Sequence, residues 1–144
     1  MLVLRGGAVF RLDERLEADS LPVGMRDGCL VRLVRDARYP WLLLIPATGR
    51  FREWWELTAD QRAAVDGLLA DCARVLAALP GVEKTNLASL GNVVPQLHWH
   101  VVGRRAGDPA WPGPVWGHGD PRPYSPGEPE ALITRLRSEL ELTP

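Results

Sequence analysis

Cysteine is nearly absent from this chain, and the two present, Cys29 and Cys72, are too few for a disulfide framework. Reduced thiols, and with them a cytoplasmic location, are the default for such a sequence. Long apolar runs are missing as well: none approaches the roughly 20 residues that a membrane span requires. The opening Met-Leu-Val-Leu-Arg-Gly-Gly has neither a basic n-region nor an extended apolar h-region, so no signal peptide is expected. Blocks of like charge are lacking. Lys and Arg number 17 against 18 Asp and Glu, a formal net charge of −1, which argues against a nucleic-acid partner held by a basic surface. No internal repeat or low-complexity tract occurs. What is left is an ordinary globular composition, 46% hydrophobic and 24% charged over 144 residues. A chain of that size is expected to form one domain, 1–144, around one core.

The apolar pattern predicts the elements. Leu2 to Leu4 and Ala8 to Leu12, parted by Gly6-Gly7, read as short strands or a hairpin, and Leu16 to Asp27 as irregular chain. Cys29 to Val34 alternates as a strand does. Trp41 to Ile45 is a continuous apolar run suited to a buried strand, and Arg35 to Pro40 between them is a polar loop. Thr58 with Gln61 forms a capping-box pattern ahead of Val65, Leu68, Leu69, Cys72, Val75, Leu76 and Leu79 at helical spacing, and Pro80-Gly81 stops the run. Cys72 lies in that apolar stripe and reads as core. Thr85 to Leu90 and Gln96 to Val102 are expected to be strands joined at Gly91-Asn92 by a tight turn. Asp108 to Gly119, with two Trp, three Pro and three Gly, should be an ordered loop packed over the sheet, a site or a partner. A C-terminal helix is expected within 128–141. Together these predict an α+β fold with an antiparallel sheet of about five strands, one long helix and a smaller C-terminal one.

Histidine is also scarce, three in all, and two of them fall in Gln96-Leu-His98-Trp-His100-Val-Val. On a strand, alternate side chains share a face. Gln96, His98 and His100 would then project together, roughly 7 Å between successive members, with Leu97, Trp99 and Val101 on the other face. Imidazole can act as nucleophile, acid or base near neutral pH. It can also chelate zinc, or sit in a core if each ring finds polar partners. Spacing alone leaves all three readings open. A zinc site would need further ligands, with only distant His118 and the cysteines as candidates.

The longer stretch from Asn86 through Gly91-Asn92-Val93 to Gln96-Leu-His98-Trp-His100-Val-Val resembles the signature of the histidine triad family of nucleotidyl hydrolases and transferases. That signature is His-φ-His-φ-His-φ-φ behind a glycine-containing turn. The resemblance extends to the Asp36–Pro46 segment, the long helix and the tail Asp108-Pro-Ala-Trp-Pro-Gly-Pro-Val-Trp-Gly117, from about residue 8 to residue 119. It implies that His98 attacks the α-phosphorus of a nucleotide to form a nucleotidyl-histidine. His100 would hydrogen-bond phosphate oxygens or the leaving group. Asp36 would bind ribose hydroxyls, Asn86 would reach the phosphate side, and Gly91, Asn92 and Val93 would offer backbone N–H groups to phosphate. It also implies a homodimer, with the long helix and the Trp-rich tail as interface candidates. No resident cofactor or metal is expected; any Mg²⁺ would travel with the substrate.

Each residue has a plainer role open to it. Asp36 could be a turn residue beside Arg35 and Arg38. Gly91-Asn92 could serve only as a turn, and Asn86 could satisfy backbone groups. Arg104 and Arg105 read as a solvated charge pair, and His118 as an exposed loop residue. Two departures stand out. The first triad position is Gln96, which cannot titrate, and Val93 replaces the Ser or Thr usual after the glycine turn. Transferase relatives carry glutamine at the third position, so Gln96 does not imply transferase activity. The expected function is hydrolysis of a nucleotide phosphoanhydride or phosphoramidate, with dinucleoside polyphosphates and nucleoside phosphoramidates of a purine as substrate classes. The alternatives are a nucleotide sensor with little turnover and a metal-binding protein using the His-x-His pair.

Overall fold

The centre of the fold is a sheet that the longest apolar runs build and the long helix covers. The structure is a computed structural model and describes residues 2–3 and 9–144. Strands β3 (Ser20–Arg26), β4 (Cys29–Val34), β5 (Trp41–Pro46), β6 (Lys84–Ala88) and β7 (Trp99–Arg104) form one five-stranded antiparallel sheet in the order β3-β4-β5-β7-β6. A separate pair, β1 (Leu2–Val3) and β2 (Val9–Phe10), runs antiparallel with Leu2 opposite Phe10. Leu4, the Gly6-Gly7 turn and Ala8 lie outside the described residues. Helices are α1 (Glu14–Ala18), α2 (Ala59–Ala77) and α3 (Glu128–Glu139).

Helix α2 starts where its sequence says it should. Thr58 Oγ1 accepts from Gln61 N at 3.2 Å and Gln61 Oε1 accepts from Thr58 N at 2.8 Å. Two orphan donors of the first turn are thereby satisfied. Its stripe of Val65, Leu68, Leu69, Cys72, Val75 and Leu76 is buried on one sheet face against Val31, Leu33, Leu42, Leu44 and Val101. Burying each such leucine or valine is worth about 1.5–3 kcal/mol. Leu136 and Leu140, from α3 and its C-cap, join the same core. The site lies on the opposite face.

The expectation of irregular chain from Leu16 to Asp27 is corrected. Asp13 caps α1 by accepting from Arg15 N, and β3 pairs with β4 across a register shift between Pro22 and Gly24. β3 is an edge strand, where a proline's missing N–H costs no ladder bond. Gly24 is required there, because a Cβ would meet Thr143 O at 2.7 Å where the chain end pairs with Met25.

The tight turn at Gly91-Asn92 is corrected as well. Ala88 lies opposite His100, so residues 89–98 form a long connection. Pro95 has no N–H to continue a ladder, and Leu97 N donates instead to Phe51 O at 2.9 Å. Gln96 and His98 therefore precede β7 rather than belong to it.

Candidate active site

Parity along β7 sends His100, Val102 and Arg104 to the face away from α2, and the register sets Leu43 of β5 opposite His100. His98, just ahead of the strand, is buried, and its ring centroid lies 5.0 Å from that of His100. His98 Nδ1 is 2.7 Å from the backbone carbonyl of Gln96. A carbonyl can only accept, so Nδ1 carries the proton and Nε2 keeps its lone pair. Ser89 Oγ donates to the His98 carbonyl at 2.8 Å, tying the preceding connection to the histidine.

His100 is held in the opposite sense. Trp41 Nε1 donates to His100 Nδ1 at 2.9 Å, and Trp116 meets the ring edge-on with centroids 5.3 Å apart. Burial, and secondarily the neighbouring His98, push the His100 imidazole down to about 3. It is neutral at pH 7.

Gln96 does not share the histidines' surroundings. Its Oε1 accepts from Asp13 N and its Nε2 donates to Arg11 O, both at 2.9 Å, clamping the segment that leads into α1. A cavity of about 320 Å³ opens at the His100 end, lined by Leu16, Val34, Asp36, Trp41, Leu43 and, from the tail, His118. Asp36 is buried in its wall and accepts from Arg38 N, Nε and Nη2 and from Arg122 N. Burial alone would raise its carboxyl, but these hydrogen bonds outweigh burial and hold it below the usual 3.8. The tail is strapped here: Arg38 Nη1 donates to His118 O at 2.6 Å, and Ala37 N to Arg122 O at 2.7 Å.

Asn86 lies opposite Val102 in the β6–β7 register, diagonal to His100. Its Oδ1 accepts from Arg104 Nη1 at 2.8 Å. The expected solvated pair is corrected for Arg104, which is only 1% exposed and makes a two-pronged bridge to Asp108 at 2.7 and 2.9 Å. It shares a face with Val102, so the loop after β7 covers it. Gly91 has φ +73°, and the N–H groups of Gly91, Asn92 and Val93 have no acceptor among the described residues. Cys29 and Cys72 are buried in the core, their thiols raised to about 11 and about 12 by burial.

Sequence reasoning passed over Trp41, Trp116 and Arg38. The tail's tryptophans were the available signal for Trp116. Nothing in a single strand announces Trp41, because its contact depends on the pairing of β5 with β7.

An antiparallel sheet backed by a long helix, with paired histidines leading into a central strand, defines a class. The HIT domain family model matches residues 15–107, and the chain belongs to that family. Solved structures agree. A histidine triad (HIT) protein from Sinorhizobium meliloti 1021 is 43% identical, covering 90% of this chain and 96% of its own, with a TM-score of 0.87. One from Marinobacter aquaeolei VT8 is 40% identical over 93% and 98%, with a TM-score of 0.88. One from Bradyrhizobium japonicum is 37% identical over 92% and 99%, with a TM-score of 0.89. No curated protein matches the chain. Family membership supports a nucleotide-binding or hydrolase-type function.

Proposed function

We propose that the protein hydrolyses a nucleotide phosphoanhydride or phosphoramidate at the α-phosphate, with His98 as nucleophile. The observation that carries this reading is the 2.7 Å contact of His98 Nδ1 with the Gln96 carbonyl, which leaves Nε2 as the free lone pair. In the first step Nε2 bonds to phosphorus while the bond to the leaving group breaks, and the leaving group departs with that electron pair, the nitrogen of a phosphoramidate having first taken a proton from solvent. Positive charge then develops on the imidazole, and the Nδ1–H bond to the carbonyl becomes charge-assisted. In the second step a water oxygen bonds to phosphorus, the P–N pair returns to Nε2, and the water's proton goes to solvent.

On this reading the nucleoside occupies the 320 Å³ cavity, with a purine against Leu16, Val34 and Leu43. Asp36 meets the sugar through acceptors it shares with Arg38. The N–H groups of Gly91, Asn92 and Val93, without an acceptor among the described residues, suit phosphate oxygens. Asn86, its Oδ1 taken by Arg104, has its side-chain amide N–H₂ to donate on the phosphate side. Dinucleoside polyphosphates and nucleoside phosphoramidates are the substrate classes to assay.

The test is the intermediate. A base quench during turnover should leave a nucleotidyl group on the His98 peptide, detectable by mass spectrometry, and configuration at phosphorus should be retained. His98→Ala should lose several orders of magnitude in turnover. Net inversion, or normal turnover by a folded His98→Ala protein, would overturn the reading. A second reading, a nucleotide-binding protein with little turnover, is favoured by one observation: neither Gln96 nor a His100 lowered to about 3 offers a titrating acid near pH 7. Tight mononucleotide binding without consumption of any substrate class would decide for it.

A further inference from the structure

We infer that Trp41 is a positioning residue that fixes His100 with its proton on Nε2, as an oriented N–H donor to the phosphoryl group. This rests on the reaction proposed above. Trp41 lies opposite Val102 in the β5–β7 register, so it reaches His100 diagonally, a distance an aromatic side chain spans. An indole N–H can only donate, and at 2.9 Å from Nδ1 it requires a lone pair there. A neutral imidazole has one proton to hold, and it must then sit on Nε2. Burial keeps the ring neutral at pH 7, its pKa pushed down to about 3.

The ring is also held against a flip. Trp116 and His98 pack on it with centroids 5.3 and 5.0 Å away, and turning it over would leave the Trp41 N–H facing a carbon. An indole in this cluster need not find a partner, since Trp116 Nε1 is buried without one among the described residues. His98 and His100 then hold opposite tautomers 5.0 Å apart, one offering a lone pair to phosphorus and the other an N–H to a phosphate oxygen. No proton leaves His100 in either step.

The test uses the full chain labelled with ¹⁵N-histidine. Long-range ¹H–¹⁵N spectra should show His98 protonated on Nδ1 and His100 on Nε2. In Trp41→Phe, His100 should become a mixture of tautomers while His98 stays unchanged. The same variant should lower kcat on the order of tenfold, with KM within about twofold, since an interaction made in the transition state is lost. In a His100→Ala background, Trp41→Phe should add nothing further. A wild-type His100 protonated on Nδ1, an unchanged tautomer in the variant, or full additivity of the two substitutions would overturn the inference. If the wild-type protein turns over no nucleotide, the hydrolase reading fails, and the spectra of the free protein still decide the role of Trp41.

Discussion

His100 couples the site to the stability of the protein. Its imidazole falls from an ordinary 6.5 to about 3 because burial penalises the cation. Below pH 6.5 the unfolded chain takes up a proton that the folded one refuses, so stability must fall as the pH drops from about 6.5 toward 3. The slope approaches about 1.4 kcal/mol per pH unit once the unfolded histidine is fully protonated. Asp36 acts in the same direction but later. Its folded carboxyl is depressed, so its contribution is intact above the ordinary 3.8 and fades only below it. Urea denaturation at pH 7, 6 and 5 should show the decline in the wild-type protein and a weaker one in His100→Gln; parallel profiles would refute the linkage. Of these residues the sequence made His98 and His100 legible, since two imidazoles on alternate positions are hard to explain as ordinary core. It left the roles of Asp36 and Asn86 open, and their partners Arg38, Arg122 and Arg104 depend on where the tail folds back.

Elements whose signals are local were readable, and those whose signals are tertiary were not. Helix α2 combines a reciprocal cap, a 3.6-residue stripe and a Pro-Gly stop, and it forms as the sequence implies. β4 and β5 follow their apolar patterns for the same reason. β3 was hidden because Pro22 and Gly24 break the alternation: Pro22 is tolerated because the strand is an edge, and Gly24 is required by the close approach of Thr143. α1 was hidden because it is a single short turn with one buried residue, Leu16. The connection at 89–98 looked like a hairpin because glycine and asparagine favour turns wherever they stand, while the register that excludes a two-residue turn is set by strand pairing. The cap of α2 gives a measurable consequence. Thr58→Ala removes one half of the box and should cost about 1 kcal/mol of stability with no change in KM. A change under about 0.2 kcal/mol would show that the cap is not needed once the stripe is packed.

Across the whole molecule, the two faces of the sheet divide the work: one buries α2 and α3, the other carries the histidines and the cavity. No helix among the described residues is long and apolar enough to cross a membrane. Leu87 on edge strand β6, with Leu90 and Val93 just after it, forms an exposed apolar run beside the turn that we propose contacts phosphate. Exposed apolar edges of this kind tend to be covered by a partner, and a homodimer is proposed for the intact protein. Sedimentation equilibrium should return twice the chain mass, and a monomer at micromolar concentration would refute the proposal. The order of the parts along the chain has a consequence for synthesis. Asp36, Trp41, His98 and His100 all leave the ribosome before residues 115–121, which supply Val115, Gly117, His118, Gly119 and Pro121 to the cavity wall. A nascent chain that has released only β7 already holds its histidines but has no enclosure around them. Ligand can add stability only to a state that binds it, so a nucleotide should protect finished chains and do little for stalled ones.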